Sequence, residues 1–115
     1  MPFDPTEDGP FKQAVHLAKD IIAGRRELLI GVRDLVPLLH ALSLADEGDF
    51  ETLLSVEGEI DDLPLGHERN IWPRKMWPEI DHELIRVKKQ YRKPILAECN
   101  RLLQRLAEIA KEEGL

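Results

Sequence analysis

The residues with the plainest capacity for chemistry are the histidines and the carboxylates spaced around them. Glu79-x-x-His82 puts a carboxylate and an imidazole on one helical face, one turn apart. Di-metal helical bundles need two such pairs, with one further Glu from each of two more helices. This chain holds one copy. The alternative is that Glu79 and Asp81 complement the dipole at a helix start while His82 faces solvent. His67-Glu68 and His82-Glu83 lack a second His four positions on, so the metalloprotease pattern is missing. A calcium loop from Asp46 fails, because Gly48 and Phe50 stand at the third and fifth ligand positions. The four histidines show no catalytic spacing with Ser, Asp or Cys, and no cofactor motif is readable.

Glu59-x-x-Asp62 is similar to the acidic pairs by which helical nucleotide pyrophosphohydrolases hold magnesium, but a second pair on a facing helix is not readable. A metal-dependent helical hydrolase built on Glu57, Glu59, Asp62, Glu79 and His82 is therefore the rival reading. His16 and His40 fall near apolar helical faces, which predicts structural histidines inside the fold. Cys99, the only cysteine, falls in an apolar stripe and reads as a small core filler. It excludes an intramolecular disulfide.

Charge is more informative. Between Leu44 and Gly66 lie eight acidic residues and no basic one: Asp46, Glu47, Asp49, Glu51, Glu57, Glu59, Asp61 and Asp62. Between Leu84 and Ala97 lie five basic residues and no acidic one: Arg86, Lys88, Lys89, Arg92 and Lys93. Either the two segments pair inside the molecule, or the acidic one is a surface for a basic protein, since complementary fields raise association rate and specificity. A net charge of −6 disfavours general nucleic-acid binding. No run approaches the roughly 18 apolar residues of a membrane span, and no basic-then-apolar leader opens the chain, so no membrane partner and a cytoplasmic setting are expected.

The elements that must carry these residues follow from period and punctuation. The pattern predicts an all-α fold: a flexible arm over 1–7, then one helical domain of about four helices over 8–115. Phe11, Ala14, Val15, Ala18, Ile21 and Ile22 repeat at helical spacing, with Asp8 as cap, Pro10 in the first turn and Gly24 as stop. A second helix is expected from an Asp34 cap, with Pro37 in its first turn and Leu35, Leu38, Leu39 and Leu42 inward. The other parse is a longer helix from about Glu27, kinked at Pro37. Asp49 is the expected cap of a short third helix with Phe50, Leu53 and Leu54 inward. Residues 58–78 lose periodicity, predicting an irregular loop anchored by Leu63, Leu65 and Ile71 and tied by Arg69 to Asp61 or Asp62. From Pro78 a stripe of Ile80, Leu84, Val87, Tyr91, Ile95, Cys99, Leu102, Leu106, Ile109 and Ala110 keeps its phase across Pro94, predicting one long kinked helix. In a domain of this size either the kink folds such a helix back or its end overhangs, and an overhanging apolar stripe would form a homodimer through the C-terminal helix.

Ile71-Trp72-Pro73-Arg74-Lys75-Met76-Trp77-Pro78 holds both tryptophans, each before a proline. Trp and Arg dominate binding hot spots, although a Trp on a loop also serves as a lid on a helical core, which is the expected role here. The run Asp62-Leu63-Pro64-Leu65-Gly66-x-x-Arg69-x-x-Trp72, between a short acidic helix and a long amphipathic one, resembles a group of small bacterial helical proteins to which no activity is assigned. The resemblance implies a bacterial origin and an all-helical fold; Pro73 and Pro94 depart from the group's pattern. Together these readings point to a non-enzymatic interaction module of an immunity-like or regulatory kind. It would dock a basic protein through Asp46, Glu47, Asp49, Glu57, Glu59, Asp61 and Asp62, with Arg69, Trp72 and Trp77.

Overall fold

A computed structural model describes residues 9–65 and 70–114. It contains four helices, α1 (Pro10–Ala23), α2 (Leu28–Ala41), α3 (Glu51–Ile60) and α4 (Trp77–Glu112), with a 3-10 turn over Arg74–Met76 and no strand among the described residues. The expected flexible arm lies outside the described residues. Each helix packs on the next in sequence and α4 closes on α1, while α2 and α4 meet only slightly across the centre.

α1 forms as its punctuation dictates. Pro10 occupies the first turn, where its missing N–H has no partner to lose. Gly24 takes φ 77°, and the N–H groups of Gly24 and Arg25 return to the carbonyls of Ile21 and Asp20. The expected cap Asp8 lies outside the described residues; the cap position is Gly9, which has no side chain to offer.

α2 corrects the Asp34-capped reading. It starts at Leu28, and the Glu27 carboxylate accepts the Ile30 N–H at 2.8 Å as its cap. Pro37 lies inside with its ring exposed. The physical reason is burial: Leu28, Leu29 and Val32 are all sealed in the core ahead of Asp34. Three such side chains outweigh the one helical hydrogen bond that Pro37 removes. Asp34 instead pairs with Arg26. Gly31 lets α1 approach closely, for a Cβ there would stand 2.6 Å from Ile21 Cγ1.

α3 runs through Gly58 and turns Leu53, Val56 and Ile60 inward. Its cap is not Asp49. Phe50 holds the cap position and makes no side-chain cap bond. The second and third N–H groups, of Thr52 and Leu53, donate instead to Glu98 Oε2 and Oε1 of α4, at 3.1 and 3.0 Å. Glu98 is the one buried polar or charged side chain among the described residues.

α4 is continuous across Pro94, as the unbroken phase of its stripe predicts, and spans 36 residues. At 1.5 Å per residue that is about 54 Å, which matches the longest dimension of the molecule, 54 Å against 27 and 25 Å. The common core takes α4 residues from Leu84 to Ala110, and Ile80 is buried apart from it. The first two turns of α4 therefore extend past the bundle.

Two outcomes check this account. Glu98→Ala should cost about 2–4 kcal/mol in urea unfolding, since it removes two hydrogen bonds to a charged acceptor and strands two helix N–H groups. Glu98→Gln, whose amide oxygen still accepts one of them, should cost less. Both variants within about 0.5 kcal/mol of wild type, the range of ordinary surface changes, would refute the cap. Next door, burial and then the Glu98 charge push the Cys99 thiol up to about 12. It should resist a thiol reagent at pH 8 until the protein unfolds. The folded state keeps the proton that the unfolded chain releases near 9, so the stability this adds is full below that pH and is lost as pH rises through the folded value. Rapid labelling of native protein would contradict it.

Candidate functional site

The connection between α2 and α3 is shaped by what it buries. Leu44, Ala45 and Phe50 are sealed in the core, while Ser43 (φ 59°) and Gly48 (φ 82°) take left-handed turns. That geometry leaves Asp46, Glu47 and Asp49 outside. Glu47 then forms a two-bonded pair with Arg105 of α4, Nε–Oε1 at 3.0 Å and Nη2–Oε2 at 3.1 Å. The Asp49 carbonyl accepts Arg101 Nη1 at 3.3 Å. At the far end of α3, Glu59 lies 3.7 Å from Arg86 Nη2 and accepts the Tyr91 hydroxyl. That hydrogen bond raises the Tyr91 phenol above its usual value, burial and the negative charge of Glu59 adding to it. These contacts run in reverse order along the two helices, so α3 is antiparallel to α4.

The acidic segment thus leans on the last helix without being neutralised by it. Of its eight carboxylates, Glu47 and Glu59 meet arginines, and only Arg86 comes from the basic run. Asp46, Asp49, Glu51, Asp61 and Asp62 are exposed and Glu57 half-buried. No ion pair joins any of these six side chains to a cation among the described residues. In the basic run Arg86 also holds Glu83 and Gln90, and Lys88 reaches Glu27 at 2.7 Å. Burial works against ionisation of Glu27, but the Lys88 contact and the backbone N–H of Ile30 outweigh it and lower its pKa. Lys89, Arg92 and Lys93 are exposed, with no carboxylate partner among the described residues.

The tryptophans do not close the core. Trp72 and Trp77 are each half-buried, and neither is among the described residues packed on the common core. They brace each other instead: Trp77 Nε1 donates to the Trp72 carbonyl at 3.3 Å, and the Arg74 guanidinium stands 5.5 Å from the Trp77 ring centroid. Pro64 and Leu65 are buried and Leu63 packs on the core, as anchors should. Ile71 does not: it is 86% exposed, because the extension that carries it lies beyond the bundle. The expected tie from Arg69 lies outside the described residues. The irregular stretch is also shorter than 58–78, since α3 persists to Ile60 and α4 begins at Trp77.

The rival metal set is not gathered. Glu59 is engaged by Arg86 and Tyr91, while Asp62, Glu79 and His82 are exposed. Among the described residues no three His, Cys, Asp or Glu side chains come together as an ion would require. His16 and His40 are exposed rather than structural, because each sits just beyond the edge of its buried stripe. Sequence reasoning missed Glu98. Its signal was present, a carboxylate at core phase between Ile95 and Leu102, three residues after one and four before the other.

The single tyrosine of the chain offers a clean test of the α3–α4 contact. In an alkaline absorbance titration Tyr91 should ionise above its ordinary value near 10, and Glu59→Gln should lower the midpoint. Identical midpoints would show that Glu59 does not reach the phenol.

Against known proteins, no protein-family model, no curated protein and no solved structure matches this chain.

Proposed function

We propose that this protein is a non-enzymatic protein-interaction module, immunity-like or regulatory in kind, that docks a basic partner through its acidic surface and the Trp-Pro turn. The observation that carries this reading is the set of six carboxylates on the α2–α3 connection, on α3 and just beyond it, none with an intramolecular cation among the described residues. Carboxylates that a fold leaves unpaired on one side keep their field for an incoming cation. The turn supplies what charge alone does not, for Ile71, Trp72 and Trp77 expose apolar and aromatic surface where hot spots are usually built. Prolines at 73 and 78 restrict its backbone, which lowers the entropy lost on docking.

Immobilised protein should capture a basic protein from the native host's lysate at low salt. The capture should weaken steeply near 0.5 M salt, where the screening length falls to roughly 4 Å. Asp46→Lys/Asp61→Lys/Asp62→Lys should abolish it, while Trp77→Ala should weaken it about tenfold or more. A captured partner that is acidic, or one held equally by the triple variant, would defeat the proposal.

A further inference from the structure

Three features outside the acidic surface invite a function. A cleft between α1 and α2 is lined by Lys12, His16, Asp20, Arg26 and Asp34, but its ion pair between Arg26 and Asp34 already satisfies the strongest groups. Cys99 is buried and protonated. The third is an outward face of α4 with an unusual composition. Ile85, Lys88, Lys89, Arg92 and Lys93 follow i, i+3, i+4, i+7, i+8, which is a single helical face. It borders a groove at Pro94. Ile85 is 52% exposed, and it and Ile71 are the exposed large apolar residues among those described. A row of cations leading away from one bare isoleucine is built to be covered by an anionic surface.

We infer that this face docks on the outer face of α3 in a second copy of the same chain. The complement is present on α3. Its core side carries Leu53, Val56 and Ile60, so the opposite side carries Glu51, Ser55 and Gly58 at i, i+4 and i+7, and Asp62 stands in the turn just past the helix end. All four are exposed, and a Cβ placed on Gly58 meets nothing. The result is a low floor between two unpaired carboxylates. Ile85 covers the floor, and Lys89, Arg92 and Lys93, all on its C-terminal side, run toward the carboxylate at one end of it. Net repulsion between two chains of charge −6 is screened beyond about 10 Å at 0.1 M salt, whereas the opposed charges meet well inside that distance.

The two faces lie on different flanks of the bundle. On α4, Arg86 and Tyr91 turn toward Glu59 of α3, while Lys88, within the basic face, turns toward Glu27 at the start of α2. One copy therefore gives its basic face to a second and accepts that of a third. The contact is heterologous, and it grows with concentration instead of closing at a dimer. It also occupies acidic residues that the proposed partner needs, so self-association and partner capture compete. The inference shares the acidic side of α3 with the proposed function and adds the basic face of α4, which that function does not use.

Sedimentation equilibrium at protein concentrations up to about 1 mM tests it, the range in which a contact of a few exposed charge pairs and one apolar anchor is populated. In 0.1 M salt the weight-average mass should climb past that of a dimer, and it should return to the monomer in 0.5 M salt. Lys89→Glu/Arg92→Glu/Lys93→Glu should weaken association more than tenfold while leaving capture of a basic partner intact, which separates this inference from the functional proposal. Glu51→Lys/Asp62→Lys should weaken it likewise. All the substituted residues are exposed, and circular dichroism checks that both variants fold. Mixed in equal amounts, the two charge-reversed variants should associate again, because each now complements the other. A wild type that stays monomeric, association unchanged in the triple variant, or a mixture that stays monomeric would each overturn the inference.

Discussion

The carboxylate of Glu98 is the constraint on which the rest of this arrangement depends. α3 opens on Phe50, a side chain with nothing to offer the orphan N–H groups of a helix start. The acceptor comes from a residue more than forty positions later, whose two oxygens take one N–H each. In the protein interior such charge-assisted bonds are strong, and leaving either side unmade is costly. α3 therefore forms in register with α4, and its dipole is matched by a negative charge at its N-terminus. The register sets the neighbouring contacts of Glu47 with Arg105, of Asp49 with Arg101 and of Glu59 with Arg86.

From that register follows the division of charge. Because α3 is held with Leu53, Val56 and Ile60 inward, its remaining positions must take the acidic residues outward, as must the turn that precedes it. Three arginines of α4, Arg86, Arg101 and Arg105, dock this segment, and its other carboxylates meet no cation among the described residues. The cations at 88–93 lie around the other side of the same helix, where, among the described residues, Lys88 alone finds a carboxylate. Segregation of this kind costs little, since exposed ion pairs contribute only about 0–1 kcal/mol each. It leaves two surfaces of opposite sign on a small bundle.

The length of α4 has its own consequence. Helices of 10 to 14 residues cannot cover one of 36, so part of it must project. The part that projects begins at Trp77, and the turn that leads into it holds Ile71 and Trp72; the two tryptophans consequently brace each other instead of filling the core. Both tryptophans and the more exposed of the two bare isoleucines, Ile71, thus lie where the bundle cannot follow.

Much of this was legible in the residues themselves, where the signal is local. Period 3.6 and the stops at Pro10 and Gly24 define α1, and the unbroken phase through Pro94 identifies α4 as one helix, because continuity of an apolar stripe depends only on spacing along the chain. The charge blocks at 46–62 and 86–93 are likewise a property of sequence alone. Tertiary structure decided what depends on competition between distant groups. Pro37 lies inside α2 and not in a first turn, because burying Leu28, Leu29 and Val32 outweighs one hydrogen bond. Asp49 lost the cap of α3 to Glu98, an acceptor that only folding brings near. Whether a carboxylate is paired, as Glu47 and Glu59 are, or left open, as Asp61 and Asp62 are among the described residues, depends on which cation the packing places within about 4 Å. A one-dimensional pattern does not encode that distance.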